Sequence, residues 1–114
     1  SVVDAFLQGF DERIGLDRLV LVHLNDTRSA FGSRTDRHEH LAAGRIPPAG
    51  LAHILRHPRL TGATYILETP GMDVGYDKVN MERARALWAG KPLRRLPKDA
   101  FEVAGSARGR MAPA

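Results

Sequence analysis

The chain has 114 residues, 43% of them hydrophobic and 26% charged, an ordinary globular mixture in the size range of one small domain or part of a larger one. It contains no cysteine, which excludes disulfides, thiolate metal sites and a cysteine nucleophile, so any metal would be held by nitrogen and oxygen. The formal charge of +4 invites a nucleic-acid reading, and its position along the chain decides how far that goes.

The opening stretch SVVDAFLQGF lacks the basic and apolar regions of a signal peptide, and no apolar run approaches the roughly 18 residues that cross a bilayer, so a cytoplasmic, non-membrane protein is expected. Val3, Phe6 or Leu7, Phe10 and Ile14 recur at helical spacing and Gly15 follows as a stop, which predicts an amphipathic helix. Arg18 to Leu24 (RLVLVHL) is a leucine and β-branched run without polar alternation. It reads as a strand buried on both faces, with His23 at its C-terminal end.

The next segment, HLNDTRSAFGSRTDRHEH over 23–40, gathers three of the five histidines and three acids into a loop. Were DRHEH extended, Asp36, His38 and His40 would project to one side. Asp-x-His is then a sound two-ligand contribution to a zinc-type site, one anionic oxygen and one imidazole nitrogen. Arg28 and the Gly32 to Arg34 stretch could hold phosphate oxygens.

PPAGLAHILRHP places proline in a first helical turn, sets Leu51, Ile54 and Leu55 on one side and ends before Pro58. His53 and His57 stand four apart, but isoleucine occupies the position where a metalloprotease helix needs glutamate, so both read as helix-surface residues. Ala63 to Pro70 (ATYILETP) is a second buried strand with Glu68 at its C-terminal end, and a third helix runs from about Tyr76 to Ala89 before Gly90 and Pro92. Residues 91–114 hold Lys91, Arg94, Arg95, Lys98, Arg108 and Arg110 against Asp99 and Glu102. The whole net charge therefore lies in this tail, expected to be poorly ordered after about residue 103 and a candidate for phosphate contact.

The order α-β-α-β-α implies parallel strands. Two parallel strands flanked by three helices cannot cover themselves, so the chain is expected to be part of a larger α/β structure; the alternative is a short open α/β domain covered by a partner chain. In α/β barrels functional residues lie at the C-terminal ends of the strands and in the following loops, where His23 and Glu68 fall with the acid and histidine cluster between them. Metal binding is the favoured reading. A Ser-His-Asp order, a phosphate-cradling glycine loop and a dinucleotide fingerprint are all missing from the sequence.

VHLNDTRSAFGSRTDRHEH followed by YILETP resembles the C-terminal signature of the endonuclease IV family of apurinic/apyrimidinic (AP) endonucleases. The resemblance covers most of residues 1–90 and implies the C-terminal portion of a (β/α)8 TIM barrel, with 91–114 as a basic tail. It implies a family site of up to three zinc ions with His23, Asp36, His38 and Glu68 on ligand positions. Glu68 would be the catalytic bridge between two ions, His23 would sit on one of those, and Asp36 with His38 on the third. Glu39 and His40 take supporting rather than ligating roles, and Arg28, Ser33, Arg34 and Arg37 are the weak DNA-binding candidates. The implied activity is zinc-assisted hydrolysis of the phosphodiester 5′ to an abasic site in double-stranded DNA. Where the family has a glycine-rich Gly-Glu-Gly, this chain has Ala42, Ala43 and Gly44. The family's remaining ligands come from upstream strands, so the chain needs the N-terminal part of the barrel or another chain and is expected to be inactive alone. Two rivals stand beside this reading: a metal-dependent sugar isomerase on a related barrel, and a non-catalytic binding remnant.

Overall fold

The structure, a computed structural model, describes residues 1–71, 74–97 and 100. The part of the basic tail from which disorder was expected lies outside the described residues. Helix α1 spans Val2–Arg13 and opens on a capping box in which the Ser1 hydroxyl accepts from the Asp4 backbone N–H. A 3-10 turn over Leu16–Arg18 leads into β1, Leu21–Leu24. Two very short strands follow, β2 at Asp26–Thr27 and β3 at His38–Glu39, then α2 (Pro48–Leu55), β4 (Thr64–Leu67) and α3 (Asp77–Ala89). Pro48 starts α2, and the left-handed Gly90 ends α3.

Strands β1 and β4 pair in parallel, Leu21 beside Thr64 through Leu24 beside Leu67, as the α-β-α-β-α order implies. Side chains alternate along each strand, so Val22, Leu24, Tyr65 and Leu67 share one face and Leu21, His23, Thr64 and Ile66 the other. The first face is covered: Leu24 and Leu67 join Leu41, Leu51, Leu55 and Leu87 in the core, with Tyr65, Ile46, Ala84 and Leu93 packed around it. The second face is bare, with Leu21 and Ile66 both exposed.

Two parallel strands cannot cover themselves, and the bare face is the side that a larger α/β structure would cover. The leucine and β-branched composition marks residues suited to double burial, but among the described residues nothing lies over the second face. Helix α1 is uncovered in the same way. It forms as its periodicity predicts, yet of its residues only Leu7 is buried, while Val2 and Phe6 lie open to solvent. What holds it is polar: His57 meets Asp4 at 2.6 Å, and Arg59 reaches Asp11 at 2.7 Å and Gln8 at 3.1 Å.

Candidate metal and nucleic-acid site

Between β1 and α2, where the sequence reads as simple loop, the chain makes a long and partly ordered excursion. Strands β2 and β3 pair antiparallel at its base, Asp26 beside Glu39 and Thr27 beside His38, and the Arg28 N–H donates to the Arg37 carbonyl at 2.9 Å. Two-residue strands leave no period to read.

Below that ladder sits a residue not singled out from sequence, Asp26, whose side chain is fully buried. Its carboxylate accepts three backbone N–H bonds, from Thr27 at 2.7 Å, Gly44 at 3.1 Å and Ile46 at 2.9 Å. The excursion is thereby pinned at both ends, by an acceptor satisfied without a cationic partner in these bonds. Gly44 is required at this point, since a Cβ there would lie 2.5 Å from Asp26 Oδ1 and closer still to the Thr27 carbonyl oxygen. A second buried link fastens the far end: Asn80 of α3 accepts from the Leu41 N–H at 2.9 Å and faces His40 Nδ1 at 2.9 Å.

On this frame four side chains converge. Glu68 follows β4 directly, its N–H donating to the Leu24 carbonyl at 3.0 Å, and so shares the bare face with Ile66. One carboxylate oxygen, Oε2, contacts His23 Nδ1; the other, Oε1, lies 3.4 Å from His38 Nδ1. His38 Nδ1 also faces the Glu68 carbonyl oxygen at 2.9 Å. A carbonyl can only accept, so Nδ1 is the donor there and Nε2 is the nitrogen left to face outward. That Nε2 is 3.2 Å from Asp36 Oδ1.

Metal-ligating histidines have their outer N–H held in this way, which orients the other nitrogen; here that nitrogen faces the Asp36 carboxylate. Neighbouring ligands of a tetrahedral cation stand about 3.3 Å apart, close to the Asp36 to His38 separation. The donor set is entirely nitrogen and oxygen and is open to solvent, with Asp36 most exposed. It therefore fits a borderline cation such as zinc.

His40 does not join this group. It is buried and bonded to Asn80, because the extended run ends at Glu39 and the following turn carries His40 into the interior. Glu39 is buried as well, accepting from the His40 N–H at 2.9 Å and lying 4.0 Å from Arg28 Nε. Arg28, Ser33, Arg34 and Arg37 all fall in the excursion, Arg34 and Arg37 exposed and Arg28 partly covered.

A second cluster, Asp4, His53 and His57, has metal-like spacing. His57 is not the helix-surface residue expected: α2 ends at Leu55, and His57 is buried beneath α1. Its Nδ1 accepts from the Arg59 N–H at 3.1 Å, so Nε2 bears the proton and donates to Asp4 Oδ1 at 2.6 Å. His57 thus turns an N–H rather than a lone pair toward Asp4, and the Asp4–His57 pair is a structural clamp. That bond, followed by the one from Ser1, holds the Asp4 carboxyl far below the usual carboxylate range.

The profile of the xylose isomerase-like TIM-barrel family matches residues 4–98. A probable endonuclease 4 of Methanoculleus marisnigri is 46% identical over 85 residues, 75% of this chain and 30% of that protein. A probable endonuclease 4 of a Geobacillus species is 49% identical over 83 residues, 70% of this chain and 27% of the relative. The crystal structure of endonuclease IV from Thermus thermophilus superposes with a TM-score of 0.63 at 39% identity, covering 75% of this chain and 31% of that one. The chain thus spans about 30% of the length of the relatives it matches.

Proposed function

Because the chain belongs to the xylose isomerase-like TIM-barrel family, and its similarity within that family runs to endonuclease IV, we propose that it is the metal-site portion of a zinc-dependent AP endonuclease, completed by further barrel strands. The observation that carries this reading is the gathering of four donors at the open end of the parallel strands, Glu68 Oε2 against His23 Nδ1 and His38 Nε2 against Asp36. Glu68 would be the shared ligand with the His23 nitrogen beside it, and Asp36 with His38 would hold zinc as a separate pair. Zinc bound by these groups supplies Lewis acidity, making water a better nucleophile near neutral pH and drawing charge from the phosphoryl oxygens.

The proposed reaction is in-line displacement at phosphorus. A water oxygen bonds to the phosphate 5′ to an abasic site, the bond to the 3′ oxygen breaks, and a 3′-hydroxyl and a 5′-deoxyribose phosphate result. Within this chain, the Glu68 carbonyl holds the His38 ring with Nε2 outward, and Arg28, Arg34 and Arg37, with Ser33, offer cationic and hydroxyl contacts to the DNA backbone. A cytoplasmic setting and double-stranded DNA as partner belong to the same proposal.

The test is to place residues 4–98 in the corresponding segment of the Thermus thermophilus enzyme, load zinc and assay an abasic duplex beside an aldose. Zinc-dependent cleavage, lost by at least about a hundredfold in Glu68→Gln with the fold intact, is expected, because a neutral amide is a poor bridge between cations. Near-full activity of Glu68→Gln would sink the bridging role, and aldose turnover would favour the isomerase. A folded graft that binds zinc and cleaves nothing would leave the remnant reading standing.

A further inference from the structure

Phe31 is the most exposed large apolar side chain among the described residues, at 107% relative accessibility. It lies in the excursion between the paired ends at Thr27 and His38. That segment is not slack. The Ser33 and Thr35 hydroxyls bond at 2.9 Å, Thr35 donates to Ser29 at 3.0 Å, and the Ser33 N–H reaches the Ala30 carbonyl at 3.1 Å. Gly32 and Arg34 take left-handed backbone, φ 77° and 59°, turning the chain sharply on either side of Ser33. A ring left in water by a braced turn, at a position whose neighbours are small or polar, has no packing role within this chain.

The surroundings name what would cover it. Arg28, Arg34 and Arg37 lie within six residues of Phe31, and the excursion leaves the strands at the end that carries His23 and Glu68. An aromatic ring among cations is the combination with which proteins grip a nucleic-acid strand, the charges taking phosphates and the ring taking a base face. Duplex DNA ordinarily presents no free base face, but one missing a base does.

We propose that Phe31 is a substrate-contacting specificity residue that stacks in the gap of an abasic duplex, against a base left uncovered there. The inference rests on the AP endonuclease reading and adds a source of discrimination: arginines hold any DNA, while the ring selects DNA with a vacancy.

The experiment uses the full 114-residue chain with zinc and two duplexes, one fully paired and one with a tetrahydrofuran abasic analogue opposite 2-aminopurine. Affinity is read by anisotropy and stacking by 2-aminopurine fluorescence. Phe31→Ala should reduce the preference for abasic over paired duplex by about tenfold and abolish the fluorescence change, with Phe31→Trp restoring both. Arg34→Ala should weaken both duplexes alike. If the native chain prefers abasic DNA and Phe31→Ala keeps that preference, the ring's role is overturned and the endonuclease reading stands. If the native chain shows no preference, the stacking proposal falls; zinc-dependent cleavage by the graft described above then decides separately whether the endonuclease reading falls with it. Because Phe31 stands clear of the rest of the chain, its replacement leaves the melting transition unchanged; a lowered transition would assign the ring to packing and refute the proposal.

Discussion

At the scale of single residues, the site depends on a side chain that carries no metal chemistry of its own. Asp26 accepts three N–H bonds that join Thr27 to Gly44 and Ile46, and so fixes where Asp36 and His38 lie relative to Glu68. Asp26→Asn would keep the oxygen that serves Thr27 and Ile46 while turning an amide N–H₂ toward the Gly44 N–H. One buried donor is left unsatisfied, at a cost of about 1–3 kcal/mol. Hydrogen exchange should find the Gly44 amide losing protection first, and zinc affinity should fall although none of the proposed ligands has changed; unaltered exchange at Gly44 would contradict the clamp. The histidines and acids around this residue were legible in sequence because their density in a loop is unusual. Asp26 was not, since its partners lie up to twenty residues away and are backbone groups, which no residue type advertises. Phe31 escaped for the opposite reason: a lone phenylalanine reads as core until its exposure is known.

Among elements, the contrast lies between what periodicity foretells and what packing supplies. The three main helices and the parallel β1–β4 pair follow from apolar spacing, proline and glycine, whereas β2 and β3 are too short to carry a period and form because Asp26 and the Arg28–Arg37 bond draw the loop ends together. Helix α1 has the apolar residues of a buried helix and almost none of the burial, and a polar clamp holds it instead. The clamp has a testable pH dependence. The folded Asp4 carboxyl sits below its ordinary value, so the stability it contributes is fully present above about pH 4, where the unfolded carboxylate is also ionised, and declines as pH falls toward the lower folded value. Asp4→Asn should therefore lower the melting temperature of the chain at about pH 7, and the difference from the native chain should narrow steadily below about pH 4. A difference independent of pH over that interval would mean that the His57 bond acts through shape alone. Sequence could not anticipate the clamp, because His57 is buried by a residue 53 positions earlier rather than by the helix it follows.

For the whole molecule, the bare sheet face decides behaviour. In a closed barrel the strand side chains on that face pack into a filled interior; here Leu21 and Ile66 meet solvent, and so do Val2 and Phe6 on α1. An exposed apolar surface of this kind drives association when its own cover is missing. The isolated chain should sediment with increasing mass as concentration rises and cleave abasic DNA poorly even with zinc, since the four residues proposed as ligands cannot complete several tetrahedral sites. Ile66→Ala separates this account from ordinary surface stickiness, because its cost depends on what lies over the face. In the isolated chain Ile66 is 46% exposed, and its truncation should change stability by no more than about 0.5 kcal/mol while reducing association. In the completed barrel the same side chain fills the interior two residues before Glu68, and its truncation should cost about 2–5 kcal/mol by leaving a cavity. Equal effects in the two settings, measured by denaturant unfolding, would mean that the face is not a barrel interior; a large cost confined to the completed protein would mean that the strand order, the bare face and the convergence of His23, Asp36, His38 and Glu68 belong to one interrupted barrel.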